Sequence, residues 1–235
     1  MASLLSSLAV QKYELTLPTT KQKIEYRSFL VKEEKILMLA SETKNESDMF
    51  RAMKEVVSAC TFGGLDVEKA SLLDIEYLFL KIRSRSVGET ASPSIKCSKC
   101  NKLTEQKIDL SKVEPTYNPS HTNKIVLNEN LILEMKYPVF DDLRSVDGVD
   151  NQLDKAINLL AACIDKVHTK NDTIVAKDIE RSEVLDFIAN FNQDQLKKTM
   201  HFIETMPKLM KDVDFKCSHC EHQEVYRLEG IRDFF

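Results

Sequence analysis

The strongest constraint on this chain is a five-residue word written twice. "KCSKC" begins at Lys96 and "KCSHC" at Lys216. The flanks repeat as well: "IKCSKC" stands against "FKCSHC", with an apolar residue and a lysine before each first cysteine. Two residues between cysteines allow a tight turn to aim both sulfurs at one point, and two such turns supply four sulfurs, the set that suits tetrahedral zinc. Strand-like alternation resumes after each copy, in "TEQKIDL" and "EVYRLEG". That is the layout of a zinc ribbon, here split between the middle of the chain and its end. Cys97, Cys100, Cys217 and Cys220 are therefore the expected ligands of one structural Zn2+. Four sulfurs leave no position for water or substrate, so the metal would close a long loop and catalyse nothing.

Other uses of the word fit less well. A thioredoxin-type redox pair needs a single motif at the start of a helix in a βαβ unit, and neither copy has that setting. Four cysteines also suit an iron–sulfur cluster. His219 and His222 lie close enough in sequence to replace a cysteine, a point the spacing leaves open. The remaining cysteines, Cys60 and Cys163, fall on apolar faces of expected helices and read as small buried hydrophobes.

The chain has 235 residues, 43% of them hydrophobic and 30% charged, with a net charge of −4. Such a composition describes a folded chain with a real core. It does not describe one devoted to neutralising phosphates. No apolar run approaches the ~20 residues that span a bilayer, and "MASLLSSLAV" lacks the positive charge that opens a secretory signal. A reducing cytoplasm is expected, where paired cysteines bind metal more often than they form disulfides.

Periodicity gives an α+β fold: an N-terminal β-hairpin, a helical body, and the split zinc-ribbon-like module. "YELTL" and "KIEYRSF" alternate around the turn "PTTKQ". "LVKEEKILMLA" reads as a short helix. Met49, Phe50, Met53, Val56, Val57 and Cys60 form one face of a second, capped by Asn45 or Ser47 and ended by Gly63–Gly64. Ser71 and Asp74 have cap spacing before "LLDIEYLFLKI", a third helix apolar on most sides and so expected at the centre of the core. "KIVL" and "LILEMKY" flank "NEN" as a second hairpin. Leu153, Ala156, Ile157, Leu160, Ile164 and Val167 then make one helical stripe; Val184, Phe187 and Ile188 make another; Leu196, Met200, Ile203 and Met206 make a third, begun by Asn192 and stopped near Pro207. The expected segments are 1–93 (hairpin and helices), 94–140 (first knuckle and hairpin), 141–210 (helical insertion) and 211–235 (second knuckle and final strand), packed as one or two compact units.

Catalytic patterns are missing: no phosphate-binding glycine loop, no nucleophile elbow and no His-Glu-x-x-His. Asp141–Asp142 and Glu33–Glu34 read as a solvated helix start and face. "KIRSRS" (Lys81–Ser86) is the best basic cluster, but it ends a helix, where cations favour the dipole without any ligand. With tryptophan absent, no aromatic platform for bases is evident.

"ELTLPTTKQKIEYRSFLVKEEKILMLA", "FGGLDVEKASLLDIEYLFLKIRSRSVGE", the first knuckle and "MKYPVF", in that order, resemble the baseplate hub subunit and hub assembly family of T-even-type contractile-tailed bacteriophages. The resemblance runs roughly from Tyr13 to Phe140, and Asp74–Glu89 is its most specific part. It implies a protein made in the host bacterial cytoplasm, with the virion tail baseplate as a further location. Its partners would be other baseplate hub or wedge proteins, with no enzyme activity, no small-molecule substrate and no membrane. The contact surfaces expected are the two hairpin turns, Pro18, Thr19, Thr20, Lys21 and Gln22 in the first and Asn128, Glu129 and Asn130 in the second, because a strand edge near them can accept a neighbour's strand. A zinc-ribbon nucleic-acid binder or transcription accessory factor is the alternative. It would share the cysteine word but needs a basic surface.

Overall fold

The computed structural model describes residues 10–43, 45–144 and 151–234. Two compact units emerge: Met1–Thr116 with Lys208–Phe235, and Tyr117–Pro207. The first unit opens with strands β1 (Lys12–Thr16) and β2 (Lys23–Arg27), an antiparallel hairpin in which Lys12 faces Arg27 and Thr16 faces Lys23. Three helices follow: α1 (Val31–Glu42), α2 (Glu46–Cys60) and α3 (Leu72–Ser86). Their starts are set by local chemistry. The Asn45 side chain accepts the Ser47 N–H at 2.9 Å, and the Ser71 hydroxyl accepts the Asp74 N–H at 3.1 Å, each satisfying a donor that the first helical turn leaves free. At α1 the Glu33 carboxylate takes that role, accepting the Leu30 N–H at 2.7 Å.

Glu33 also meets Arg27 at 2.9 Å, with both side chains almost wholly buried. Burial pushes the Glu33 carboxyl up, but the guanidinium and the Leu30 N–H together hold it below the ordinary carboxylate range. Arg27 also donates to the Ser28 and Ala59 carbonyls, so the guanidinium is held by more than the carboxylate. The adjacent acids Glu33–Glu34 are thus not one solvated face: Glu33 is 2% exposed and ties α1 to β2.

α3 is central, as its apolar sequence predicts. Leu78, Leu80 and Ile82 have no measurable exposure. Short strands come next: β3 (Thr90–Ala91), β4 (Ser94–Lys96), β5 (Leu103–Glu105), β6 (Ile108–Asp109) and β7 (Pro115–Thr116). β3 pairs with β6 and β4 with β5, so "TEQKIDL" splits into two short strands rather than one.

The second unit holds β8 (Lys124–Asn128), β9 (Leu131–Met135), α4 (Phe140–Arg144), α5 (Gln152–Cys163), β10 (Ile164–Thr169), β11 (Thr173–Val175), α6 (Arg181–Ala189) and α7 (Gln193–Thr205). Its antiparallel sheet runs β11-β10-β9-β8. Here the helical stripe expected to reach Val167 stops at Cys163, and the chain passes directly into β10. A bulge between Ile164 and Lys166 explains the misreading. The extra residue puts the buried Ile164 and Val167 three apart, the spacing of a helix, inside a strand. Because β10 pairs with β9, the hairpin 124–135 shares a core with the helices after it: Leu133, Leu160, Ile164, Ile188 and Phe202 pack in one cluster. That hairpin groups with 141–207 rather than with the first knuckle. At α7 the capping box is complete, with Asn192 and Gln195 exchanging bonds of 2.9 and 3.0 Å.

The chain returns to the first unit on β12 (Lys208–Lys216) and finishes with β13 (Gln223–Glu229). β12 lies between β13 and β7, with Leu209 opposite Pro115. The chain therefore leaves and re-enters the first unit on neighbouring strands. The strand β12 was not evident in the sequence, because its charged residues hide the alternation and only Leu209 and Phe215 are buried. Those two join Leu17, Val57, Leu80 and Phe234 in one core drawn from both segments of the unit. Each such side chain contributes on the order of 2 kcal/mol by leaving water.

Candidate metal centre

Each cysteine word folds as the turn of a hairpin. β4 and β5 flank the first, with Lys96 opposite Leu103; β12 and β13 flank the second, with Lys216 opposite Gln223. The two turns match residue for residue. The Cys97 N–H donates to the Lys102 carbonyl at 3.0 Å, and the Cys217 N–H to the His222 carbonyl at 2.9 Å. Asn101 and Glu221 donate back to the Cys97 and Cys217 carbonyls at 3.0 and 3.1 Å. Both of these residues take left-handed backbone, with φ of 59° and 57°, which closes the turn and brings the paired sulfurs to one side. Ile95 and Phe215, the apolar residues of the flanks, anchor the knuckles in the core.

The four sulfurs meet. All lie within 4.8 Å of one another, with Cys97 3.7 Å from Cys220 and Cys100 3.6 Å from Cys217. The short pairs cross between the words, so both words face one point. A tetrahedron of sulfurs about 2.3 Å from a central ion has edges of about 3.8 Å. A disulfide needs about 2.05 Å. The spacing therefore fits a thiolate shell around an ion such as zinc and fits no cross-link. Cys97 and Cys217 are fully buried, and Cys100 and Cys220 are partly so.

Hydrogen bonds prepare one of the sulfurs, that of Cys217, for negative charge. Burial opposes ionisation of Cys217, yet the N–H groups of His219 and Cys220 and the hydroxyl of Thr104 bring its thiol down to about 6. Cys220 moves the other way, up to about 12: the His222 N–H favours its thiolate, but burial and the three neighbouring sulfurs outweigh it. A cation at the centre of the four sulfurs would favour their thiolate form. His219 and His222 lie outside the group of converging ligand atoms. The His219 Nε2 meets the Leu103 carbonyl at 3.2 Å, and the His222 Nε2 lies 3.9 Å from Glu224.

The residues around the sulfurs were missed in the sequence. Ser98 donates its N–H and its hydroxyl to Glu224, at 3.3 and 2.9 Å. Ser218 donates its N–H to Thr104 Oγ1 at 3.2 Å, and their hydroxyls lie 3.1 Å apart. A signal was present: the two serines occupy the same place in the two words, and Thr104 and Glu224 the same place after them.

The turns expected to bind partners differ from each other. In the first, Pro18 is buried, while Thr20, Lys21 and Gln22 are exposed. Thr19 points inward: its N–H donates to Asp74 Oδ1 at 3.0 Å, and its hydroxyl donates to Asp74 Oδ2 and lies 3.2 Å from the Ser71 hydroxyl. Asn128, Glu129 and Asn130 are all exposed, in a turn held by the Asn130 N–H on Asn128 Oδ1 at 2.9 Å. The cations of "KIRSRS" are engaged within the chain. Lys81 bonds Glu114 at 2.7 Å, Arg85 bonds Glu89 at 3.0 Å, and Arg83 donates to the Gly88 carbonyl at 3.4 Å.

Among the described residues, no helix is long and apolar enough to cross a membrane. Fold and site together define an α+β protein in which a cluster of four cysteines joins two distant chain segments. The chain belongs to the T4 bacteriophage base plate protein family, whose model matches residues 10–235. Membership gives it a structural role in a phage baseplate, among other baseplate proteins. No curated protein and no solved structure matches it.

Proposed function

We propose that this protein is a subunit or assembly factor of the baseplate hub, that it works through protein–protein contacts with hub or wedge proteins, and that Cys97, Cys100, Cys217 and Cys220 hold one structural Zn2+. The observation that carries the metal reading is the crossed sulfur spacing of 3.6–3.7 Å between segments 97–100 and 217–220. A bound zinc would supply a closed tetrahedral link with no open position, and so rigidity rather than reactivity. Within the first unit, the strands at which the chain leaves and returns, β7 and β12, are paired. The clasp would hold the two segments of the first unit together while the exposed turns at Thr20–Gln22 and Asn128–Asn130 meet neighbours. Assembly takes place in the host bacterial cytoplasm, and the virion tail is where a subunit would remain. The engaged cations of Lys81–Ser86 support this reading over nucleic-acid binding.

The test combines metal analysis with complementation in infected cells. Wild-type protein carries one zinc per chain and restores complete baseplates. Cys97→Ser loses the zinc and leaves hubs incomplete. Exchanges at Thr20, Gln22 and Glu129 keep fold and zinc but impair assembly. Complete baseplates in cells lacking the protein would overturn the function, and a zinc-free or iron-containing wild type would overturn the metal.

A further inference from the structure

The two knuckles are related by more than their cysteines. Ser98 and Ser218 each follow the first cysteine of a word. Among the described residues, each serine is held from the opposite hairpin. Ser98, in the first turn, is held by Glu224 on β13, which belongs to the second; Ser218, in the second turn, is held by Thr104 on β5, which belongs to the first. The arrangement is reciprocal, and both holding residues occupy the same position after the repeated word.

We propose that Thr104 and Glu224 are crossed braces of the metal clasp, each fixing the opposite knuckle and so slowing release of the ion. The inference rests on the zinc reading above and adds which residues govern retention. Thr104 has the atoms for its task. Its oxygen accepts the Ser218 N–H, and its proton is placed to donate to Cys217 Sγ at 3.8 Å, the reach of a hydroxyl–sulfur bond, when the Ser218 hydroxyl donates to it at 3.1 Å. In that arrangement every proton is used, in a site where Thr104 is 9% exposed and water competes poorly. Glu224 instead presents both carboxylate oxygens to the Ser98 hydroxyl, each at 2.9 Å, so the first knuckle is held by a charged acceptor. Groups behind the ligands commonly change metal affinity by roughly 10- to 100-fold when removed.

A single-chain ribbon does not require this crossing. Its consequence is specific: loss of one brace loosens the other word. Thr104→Val removes the hydroxyl at nearly constant volume, and Thr104→Ser keeps it. Glu224→Ala removes the acceptor, and Glu224→Gln keeps it without the charge. The zinc-loaded full chain is mixed with a chromogenic chelator and release is timed, while amide hydrogen exchange is followed for segments 97–102 and 217–222. Thr104→Val is expected to release zinc roughly 10-fold faster or more and to raise exchange in 217–222. Glu224→Ala does the same with exchange raised in 97–102. Thr104→Ser and Glu224→Gln stay close to wild type. Release unchanged in Thr104→Val and Glu224→Ala, or exchange raised in the substituted residue's own knuckle, overturns the crossed brace. A wild type without zinc overturns the metal reading and the retention claim with it. The exchange pattern of that protein still decides whether the knuckles are held crosswise.

Discussion

Asp74 is fully buried in the first turn of α3, and its carboxylate receives both the N–H and the hydroxyl of Thr19. Replacing it with alanine strands the Thr19 N–H in a half-buried turn and removes an acceptor charge from a helix N-terminus. Hydrogen bonds to a charged partner contribute about 1.5–3 kcal/mol each, and an orphaned donor costs about as much. The favourable first-turn carboxylate adds about 0.5 kcal/mol. The bonds overlap in what they hold and do not add fully, so Asp74→Ala is expected to cost the first unit about 3–5 kcal/mol. Thr19→Val keeps the turn's backbone and removes the hydroxyl, for about 1–2 kcal/mol. In a double-mutant cycle the two losses should couple by at least about 1 kcal/mol. The assay is urea denaturation followed by far-ultraviolet circular dichroism, with hydrogen exchange of the 12–27 hairpin to assign the loss to this unit. Asp74→Ala within about 1 kcal/mol of wild type, or additive losses, would refute the reasoning. The same bonds bear on any test of the turn as a contact surface. Deleting residues 18–22 removes a structural lock, whereas exchanging only exposed Thr20 or Gln22 leaves it intact.

Cys97→Ser and Cys217→Ser should each abolish tight zinc binding, and the double variant should be scarcely less stable than either alone, because one unit is lost once; stabilities that simply add would show independent knuckles. Burial pushes Cys60 up to about 11 and Cys163 up to about 12, so both thiols stay protonated at pH 8. Iodoacetamide with a chelator should therefore label Cys217, whose thiol lies at about 6, well before these two, which react only after unfolding, as read by peptide mass spectrometry. The folded chain keeps those protons while the unfolded chain loses them, so stability falls as pH rises from about 9 towards the folded values. Burial first, and then nearby His201, hold His121 below its ordinary value, while Thr205 Oγ1 at 2.9 Å and the Tyr137 hydroxyl at 3.1 Å occupy its ring nitrogens. The unfolded chain then takes up a proton first, so the second unit should lose stability as pH falls below about 6.5, and His121→Gln should flatten that dependence in thermal melts at pH 7 and pH 5.

The sequence by itself determined whatever depends on neighbours along the chain. The caps at Asn45, Ser71 and Asn192 are short-range hydrogen bonds, and the residues that make them stand a few places apart. The apolar run of α3 marked it as buried before any partner for it was known. The doubled word identified four sulfurs because ligand spacing within a turn is a local property. The tertiary structure decided what depends on register and on pairing across distance. The bulge in β10 is a relation between two strands, and without β9 its buried residues three apart are indistinguishable from a helical stripe. The strand β12 takes its character from the β7 and β13 edges on either side, which outweigh its own weak pattern. Glu33 looked like one of two solvated acids until the fold set Arg27 against it. Thr19 and Asp74, or Ser98 and Glu224, carry no sign of each other in sequence. A hydrogen bond needs atoms within about 3 Å, and only the folded chain brings residues so far apart in sequence within that distance.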